Sequence, residues 1–252
     1  MRRFRVPTLI VTLALLSAAC HSGGRSLPAQ PAPDPTFVVA GPDPQPESSA
    51  LKGHVVVAAR RGPFRVFTAP SSLAKSRSLS SVNGWGQQLW LPSLASQDVK
   101  GEVWFHVLLP DRPNGSTGWV EARAVDTSAV PDRIVVRLRQ HTLVRYRAGH
   151  RIAQYRVADG KPSTPTTPGR FFVWARVGYS DIEGPYGNYA LGLSGFSQVI
   201  TDWPGGGRMA IHGTADPSIA GEDVSNGCIR VFNPLMATLI DVPMGATVII
   251  RR

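Results

Sequence analysis

The amino-acid sequence predicts a mainly β protein in two folded parts, preceded by a non-globular N-terminal segment. Short apolar and β-branched runs alternate with turn-forming residues, and the 252 residues include 22 prolines and 25 glycines. Such a composition favours turns and short strands over long helices. Only one helix is well signalled, near residues 234–242. The length allows one large domain or two small ones with buried cores.

Residues 1–20 have the order of basic, apolar and small residues that is typical of an export signal. Arginines at positions 2, 3 and 5 precede an apolar stretch, Val6 to Leu16, that is too short for a comfortable transmembrane span. The next segment, LSAAC, resembles a bacterial lipobox with Ser17 where an aliphatic residue is usual. The resemblance implies lipidation of Cys20, so we expect an exported protein with a membrane anchor at that residue.

Residues 21–52 are rich in Pro, Ser, Ala and Gly, which predicts a semi-extended linker. Between residues 53 and 126, the strand-like segments HVVVAA, FRVFTA, EVWFHVLLP and TGWVEA alternate with turns. Their spacing and the Gly118-Trp119-Val120 ending resemble bacterial SH3-like domains, which implies a small barrel. Trp90, Trp104 and Trp119 are interpreted as core residues because of the area that they bury, with a platform for sugar or peptide as the alternative.

Residues 130–252 predict a second, β-rich domain. Thr142–Tyr146 and Ala153–Val157 flank a turn at residues 148–150 and indicate a hairpin, and the terminal ATVIIRR indicates another strand. We expect Asn233 to cap the helix near 234–242, with Pro234 at its first position and Pro243 at its end. The arginines around the hairpin are interpreted as a solvated face: Arg139, Arg145, Arg147, Arg151 and Arg156.

The net charge of +10 suits nucleic acid, an anionic membrane surface or a wall polymer equally well, so charge alone selects no partner. No Lys- or Arg-rich run marks a nucleic-acid patch, and we expect no nucleic-acid partner. The six histidines are scattered without the ligand spacing of a zinc site, so the sequence predicts no metal.

The segment from residue 209 to residue 234 contains a thiol and an imidazole, the groups from which a nucleophile and its base are built. Apart from Cys20, Cys228 is the only cysteine, and a lone thiol in an exported protein indicates reactivity, with an inert buried cysteine as the alternative. A nearby imidazolium, at His212, would favour the thiolate and later return a proton to a leaving amine. Turn-forming residues between the two permit them to meet.

Neighbouring groups have candidate supporting roles. The backbone N–H groups of Gly227 and Cys228 are candidates to stabilise an oxyanion, because glycine lets a substrate carbonyl approach closely. Ser225 and the carbonyl of Gly213 are candidates to hold the second nitrogen of His212 and fix its tautomer.

Three residues are candidates for substrate binding: Arg230, Asn226 and Thr214. The guanidinium of Arg230 can bind a substrate carboxylate or brace the loop internally. Aromatic residues near the presumed cleft are interpreted as core, with the substrate groove as the alternative for one or two of them: Tyr179, Tyr186, Tyr189 and Trp203.

The segments His212-Gly213-Thr214 and Ser225-Asn226-Gly227-Cys228-Ile229-Arg230 resemble the signature of the L,D-transpeptidase (YkuD-like) catalytic domain. In that signature a histidine precedes a Ser-x-Gly-Cys segment. Asn226 stands where many members have a histidine. The stretches KPSTPTTPGRFFV, GPYGNYALGLSGFS and WPGGGRMAIHGT resemble further segments of the family, so the likeness spans residues 134–250.

The resemblance implies a β-rich catalytic domain with one short helix after the cysteine, and acyl transfer on peptidoglycan stem peptides. Cys228 would attack the carbonyl of the third residue of a donor tetrapeptide and release D-alanine, with His212 as general base and acid. The amine of an acceptor stem would then complete a 3→3 cross-link. The resemblance also implies no cofactor, inhibition by carbapenems, and a place in the cell wall or at the outer face of the cytoplasmic membrane.

Three alternatives remain open. Water in place of the amine would make the protein an L,D-carboxypeptidase or endopeptidase. A non-catalytic cell-wall-binding module is disfavoured because the whole signature is retained. In papain-like peptidases the cysteine usually precedes the histidine, and here that order is reversed.

Overall fold

A computed structural model describes residues 54–203 and 205–252, which belong to one compact unit. The predicted export signal (1–20) with Cys20, and the predicted linker (21–52), lie outside the described residues. The expectation of a mainly β protein is confirmed, since strands dominate the described residues and the single α-helix among them is short. None of their helical segments is long and apolar enough to cross a membrane.

The first seven strands form one sheet, in the order β3-β2-β6-β5-β4-β1-β7. Their bounds are β1 His54–Ala59, β2 Phe64–Phe67, β3 Ser76–Leu79, β4 Leu91–Val99, β5 Glu102–Leu108, β6 Thr117–Glu121 and β7 Val125–Val130. Trp104 is 3% exposed and packs edge-on against Phe67, so the core interpretation holds for this tryptophan. The SH3-like assignment of residues 53–126 stays a prediction.

Eight later strands form a second sheet, in the order β10-β9-β8-β17-β12-β13-β14-β16. Their bounds are β8 Asp132–Arg137, β9 Thr142–Arg147, β10 His150–Arg156, β12 Gly169–Gly178, β13 Tyr189–Phe196, β14 Arg208–Thr214, β16 Ile229–Phe232 and β17 Thr247–Arg251. The predicted hairpin is present as β9 and β10, and the predicted terminal strand is β17, which lies inside the sheet and runs parallel to β8. A separate two-stranded parallel ladder joins β11 Asp159–Gly160 to β15 Asp223–Ser225.

The predicted helix at 234–242 is shorter than expected. Helix α1 covers Asn233–Met236 and continues as a 3-10 turn, Ala237–Leu239. Pro234 occupies the first turn as expected, but Asn233 makes no capping hydrogen bond and lies inside the helix. Its side chain is used elsewhere, as described with the site below.

The interpretation of the hairpin arginines as a solvated face is wrong for Arg145. This side chain is 4% exposed and forms ion pairs with Asp132 and Asp241, both at 2.6 Å. The two carboxylates lie on β8 and after α1, so the buried guanidinium ties the hairpin to the segment that follows the helix. A buried arginine needs such partners because an unpaired buried charge is strongly destabilising.

The two sheets share their cores. Val56 and Val130 of the first sheet are buried in the core of the second, together with half-buried Trp90. Conversely, Phe172 of β12 is fully buried in the core of the first sheet. The second sheet therefore packs directly on the first.

Polar contacts reinforce this junction. The side-chain amide of Gln87 pairs with the backbone of Arg176 in β12, donating to its carbonyl at 2.6 Å and accepting from its N–H at 3.0 Å. Asn114 makes the same two-way pairing with Phe196, at 2.8 and 2.9 Å. The guanidinium of Arg208, at the start of β14, lies over the ring of Trp174 and donates to the carbonyl of Pro110.

Candidate active site

The candidate base lies on β14, and the candidate nucleophile immediately precedes the neighbouring parallel strand β16. Strands β14 and β16 pair with Ile211 opposite Ile229 and His212 opposite Arg230. Because both isoleucines are fully buried in the core and side chains alternate along a strand, the residues beside them face the opposite side of the sheet. Continuing the register by one residue places Cys228 beside Ala210, two residues from His212.

This register predicts that the thiol lies within reach of the imidazole. Strands about 4.8 Å apart and a rise of about 3.3 Å per residue put the Cα atoms of residues offset by two at roughly 8 Å. Side chains of a histidine and a cysteine that project from the same face of a sheet are long enough to meet across this Cα–Cα distance. Sequence spacing alone does not settle this point, because the fifteen residues between His212 and Cys228 can follow many paths.

His212 is held in one tautomer. Its ring is buried, and Nδ1 lies 2.8 Å from the carbonyl oxygen of Gly213. A carbonyl only accepts, so Nδ1 carries the proton and the lone pair of Nε2 is left to act as a base. Burial lowers the pKa of His212 to about 4, aided by the charge of Arg230 and opposed by the bond to Gly213.

Cys228 is half-buried. Burial raises the pKa of its thiol, while a backbone hydrogen bond at Ala210 and the charge of Arg230 act in the opposite direction. Both shifts favour the neutral forms of the thiol and the imidazole. The role of His212 as an imidazolium that stabilises a thiolate stays a prediction.

Ser225 holds the turn before the nucleophile. Its hydroxyl donates to the carbonyl of Cys228 at 2.6 Å and accepts from the N–H of Gly227 at 3.0 Å. With its single proton engaged in the turn, the hydroxyl shapes the turn and is not the group that holds His212, a role that belongs to the carbonyl of Gly213. The N–H of Gly227 is likewise engaged and is not free for an oxyanion.

Gly227 is required for the shape of this turn. Its φ of +106° lies in the region that favours glycine, and an added Cβ would have ordinary contacts, 3.6 Å away at the nearest. The need for glycine is thus conformational and not a matter of space.

The Thr-Pro-rich loop after β11 supports the same turn from outside. The carbonyl of Ser225 accepts from the backbone N–H of Lys161 at 3.0 Å and from the hydroxyl of Thr164 at 3.2 Å. Thr166 fixes the start of the loop by accepting from the N–H of Gly160. The sequence resemblance covered this loop, but it gave no reason to single out the two threonines.

The three candidate substrate contacts have different surroundings. Arg230 is half-buried, its backbone is bridged to Ala158, and its Nε is buried without a hydrogen-bond partner. The Nε of Arg230 is therefore not braced by the protein. Thr214 is half-buried and accepts from the N–H of Asp216 at 3.3 Å, while Asn226 is half-buried in the nucleophile turn.

An aromatic pair forms one wall of the site. Tyr186 meets the ring of His212 edge-on at 5.3 Å and stacks on Tyr179 at 5.3 Å. Tyr186 is 39% exposed and Trp203 is 45% exposed, so the core interpretation is wrong for these two. Half-buried Tyr189 does pack against the core.

Asn233, expected as a helix cap, instead holds the segment that carries Tyr186. Its Oδ1 accepts from the N–H of Asn188 at 3.1 Å, and its Nδ2 donates to the carbonyl of Ile182 at 2.9 Å. An added Cβ at Gly213 would lie 2.3 Å from the same Oδ1. The glycine after the histidine is therefore also needed for this close approach.

Comparison with known proteins identifies the family of the second part of the chain. Residues 131–250 match the YkuD family, described as the L,D-transpeptidase catalytic domain. Two curated YkuD proteins, provisionally named as L,D-transpeptidases, are similar. The one from Bacillus licheniformis is 37% identical over 47% of this chain and 65% of its own length. The one from Bacillus subtilis is 34% identical over 50% of this chain and 70% of its own length.

Solved structures give weaker similarities. The catalytic domain of an Enterococcus faecium L,D-transpeptidase acylated by ertapenem has 24% identity and a TM-score of 0.37, covering 48% of this chain and 97% of that one. An L,D-transpeptidase from Mycobacterium smegmatis has 16% identity and a TM-score of 0.39, covering 60% of this chain and 91% of that one. The family assignment rests on the sequence matches. The segment that matches the family, residues 131–250, includes both His212 and Cys228. The chain thus belongs to the YkuD family of L,D-transpeptidase catalytic domains.

Proposed function

We propose that the protein is a peptidoglycan L,D-transpeptidase that forms 3→3 cross-links through an acyl-enzyme on Cys228, with His212 as general base and acid. The observation that supports the proposal is that Cys228 immediately precedes β16, the parallel neighbour of the strand that carries His212, and that the carbonyl of Gly213 fixes Nδ1 of the histidine. This leaves one ring nitrogen for proton transfer next to a single thiol.

In the proposed first half-reaction, Nε2 of His212 takes the thiol proton as Sγ of Cys228 attacks the carbonyl carbon of the third residue of the donor. The tetrahedral oxyanion is stabilised by the backbone N–H of Cys228, since that of Gly227 is already used by Ser225. The imidazolium then gives its proton to the departing nitrogen of D-alanine. The C–N bond breaks, and a thioester to Cys228 remains.

In the second half-reaction, the side-chain amine of an acceptor stem attacks the thioester and transfers a proton to Nε2 of His212. The new amide forms as the proton returns to Sγ, which restores the neutral pair. Arg230 supports substrate binding because its unpartnered Nε lies beside the thiol strand; we assign it to a carboxylate of the stem peptide. The exposed face of Tyr186 and the half-buried Asn226 and Thr214 complete the proposed contacts.

Product analysis tests this function. The full chain, incubated with a disaccharide-tetrapeptide that contains a diamino acid, should give a cross-linked dimer and free D-alanine by mass spectrometry. A folded Cys228→Ala variant should lose several orders of magnitude in rate. Trimmed tripeptide without dimer would show a hydrolase, and unchanged substrate with a folded protein would favour the non-catalytic wall-binding module.

We also propose export and lipid anchoring at Cys20, on the basis of the lipobox-like LSAAC segment. The acyl chain would hold the enzyme at the outer face of the cytoplasmic membrane, next to its polymer. Wild-type protein expressed in a bacterium should sediment with membranes, and Cys20→Ala should release it or block its maturation. Soluble wild-type protein that begins after residue 20 would instead show an ordinary signal peptide.

A further inference from the structure

Three potential metal ligands from distant parts of the sequence meet at one point, outside the catalytic pair. His141 follows the 3-10 turn Leu138–Gln140, Asp159 begins β11 and Asp223 begins β15. The two aspartates are register partners in the β11–β15 ladder. One donor atom from each of the three residues lies within 4.8 Å of the others. The spacing of these residues in the sequence gave no sign of this cluster.

The cluster brings two carboxyl groups together, one of them buried and the other exposed. Asp159 is only 3% exposed, and Nδ1 of His141 lies 3.2 Å from its Oδ2 and 3.9 Å from Oδ1 of Asp223. In the described part of the chain, His141 is the one ion-pair partner of both carboxylates. Among the described residues, two carboxylates therefore face a single imidazole.

Burial of this carboxylate has a measurable consequence. Desolvation, followed by the hydrogen bond and charge of Asp223, raises the pKa of Asp159 to about 7. A buried carboxylate is costly unless a proton, a cationic side chain or a metal ion compensates its charge.

We propose that His141, Asp159 and Asp223 bind one divalent cation of the zinc type. One imidazole nitrogen and two carboxylate oxygens are ligands that Zn²⁺ accepts at about 2.0–2.2 Å, whereas Ca²⁺ and Mg²⁺ favour oxygen ligands alone. Tetrahedral ligands at such distances are about 3.4 Å apart, and the separations of 3.2 and 3.9 Å lie on either side of that value. The side chain of Asp223 is 52% exposed, which leaves an open side for a water ligand.

The cation would join three segments that otherwise meet through hydrogen bonds. It would fasten β11 and β15 to the connection between β8 and β9. Because β15 ends at Ser225, whose hydroxyl holds the nucleophile turn, the site would also steady the approach to Cys228. The expected role is structural, and it does not depend on the proposed transpeptidase activity.

Zinc titration of the untagged full chain tests the site. Both cysteines are first replaced by alanine, because the thiol of Cys228 beside His212 is itself able to bind zinc. Isothermal titration with ZnSO₄ should show one ion per chain, and zinc should raise the melting temperature. Asp159→Asn, Asp223→Asn and His141→Asn should each weaken binding at least tenfold. Asparagine suits position 141 because its φ is +47°.

His150→Asn is the matched control, since His150 is exposed and lies at the start of β10; it should leave the affinity unchanged. Half-exposed Asp223 provides a variant that keeps its fold even where Asp159→Asn destabilises the protein. Absence of zinc binding would overturn the proposal. Binding that is equally tight in Asp223→Asn and His141→Asn would place the ion elsewhere and would overturn it as well.

Discussion

At the scale of single residues, the catalytic pair is poised as neutral partners. Burial disfavours the charged form of both groups, so it raises the pKa of a thiol and lowers the pKa of an imidazole. The pKa of His212 falls to about 4 while that of Cys228 rises. The histidine is therefore available as a base throughout the neutral range, and the thiol gives up its proton only as it attacks. Arg230 strengthens the first effect and moderates the second.

This electrostatic state predicts the pH dependence of acylation by a carbapenem, whose strained ring carbonyl a thiolate should open. A protonated imidazole cannot accept a proton, so a base with a pKa of about 4 stays competent on the acid side. The rate of adduct formation should change less than about threefold from pH 7.5 to 5.5, whereas an unperturbed histidine with a pKa of about 6.5 would lose about tenfold. Intact-protein mass spectrometry at each pH measures this rate.

The same measurement has internal controls. One adduct per chain should map to Cys228, vanish in Cys228→Ala and form much more slowly in His212→Ala. Asn226→His should change the rate only modestly, because we assign no proton transfer to that position. A tenfold fall between pH 7.5 and 5.5 would show that the imidazole titrates near its ordinary value in solution.

The residues that we propose for the chemistry could be singled out from the sequence, and the contacts that support them could not. Cys228, His212 and Gly213 lie in short motifs whose chemistry can be inferred locally. Ser225 was singled out with the wrong partner, because a hydroxyl three residues before a cysteine can bond to the turn or to the ring. Tyr186 reaches His212 only through the pairing of β13 with β14, a tertiary relation that the spacing of the residues does not encode.

At the scale of elements, local signals located the strands but not their neighbours. The β9–β10 hairpin was predictable because its turn residues lie between two alternating runs, and Ala148 and Gly149 do have positive φ values of 50° and 88°. Nothing local indicates that β17 enters the middle of the sheet, between β8 and β12. The burial of Arg145 follows from that tertiary arrangement, since its partner Asp241 comes from the segment after the helix.

The helix illustrates a competition between local and tertiary demands. Asn233-Pro234 is a strong start signal, and Pro234 does lie in the first turn. The side chain of Asn233 instead bonds to Asn188 and Ile182. Asn233 therefore holds the loop that contains Ile182 and Asn188 and does not cap the helix. The α-helical segment ends after four residues. Helical propensity was correctly identified, but the length of the helix was set by its neighbours.

At the scale of the whole molecule, the N-terminal sheet is part of the foundation of the catalytic sheet. Val56 and Val130 complete the core around β14 and β16, while Phe172 completes the core of the other sheet. A domain boundary near residue 130, drawn from composition, divides these shared cores. Linear sequence patterns cannot reveal such sharing, because the apolar residues of a strand do not indicate which sheet they pack against.

This shared core predicts that residues 130–252 do not form a stable catalytic domain alone. Removing the N-terminal sheet exposes Phe172. It also removes the hydrogen bonds that the side chains of Gln87 and Asn114 make to the backbone of Arg176 and Phe196. Each lost hydrogen bond costs about 1 kcal/mol, and full exposure of a phenylalanine costs about 1.5–3 kcal/mol. Together these losses are a large share of the roughly 5–15 kcal/mol that stabilises a typical domain. The fragment should melt well below residues 53–252 or remain partly unfolded, as followed by circular dichroism, and should acylate slowly.

A point variant separates this effect from truncation in general. Asn114→Ala removes only the two-way pairing with Phe196, so it should lower the free energy of unfolding by about 1–3 kcal/mol. The loss at Phe196 weakens the end of β13, which pairs with the strand that carries His212, so acylation should slow slightly while one adduct per chain still forms. Equal melting temperatures for residues 130–252 and 53–252 would contradict this prediction. They would mean that the two cores fold independently and that the N-terminal sheet does not stabilise the candidate active site.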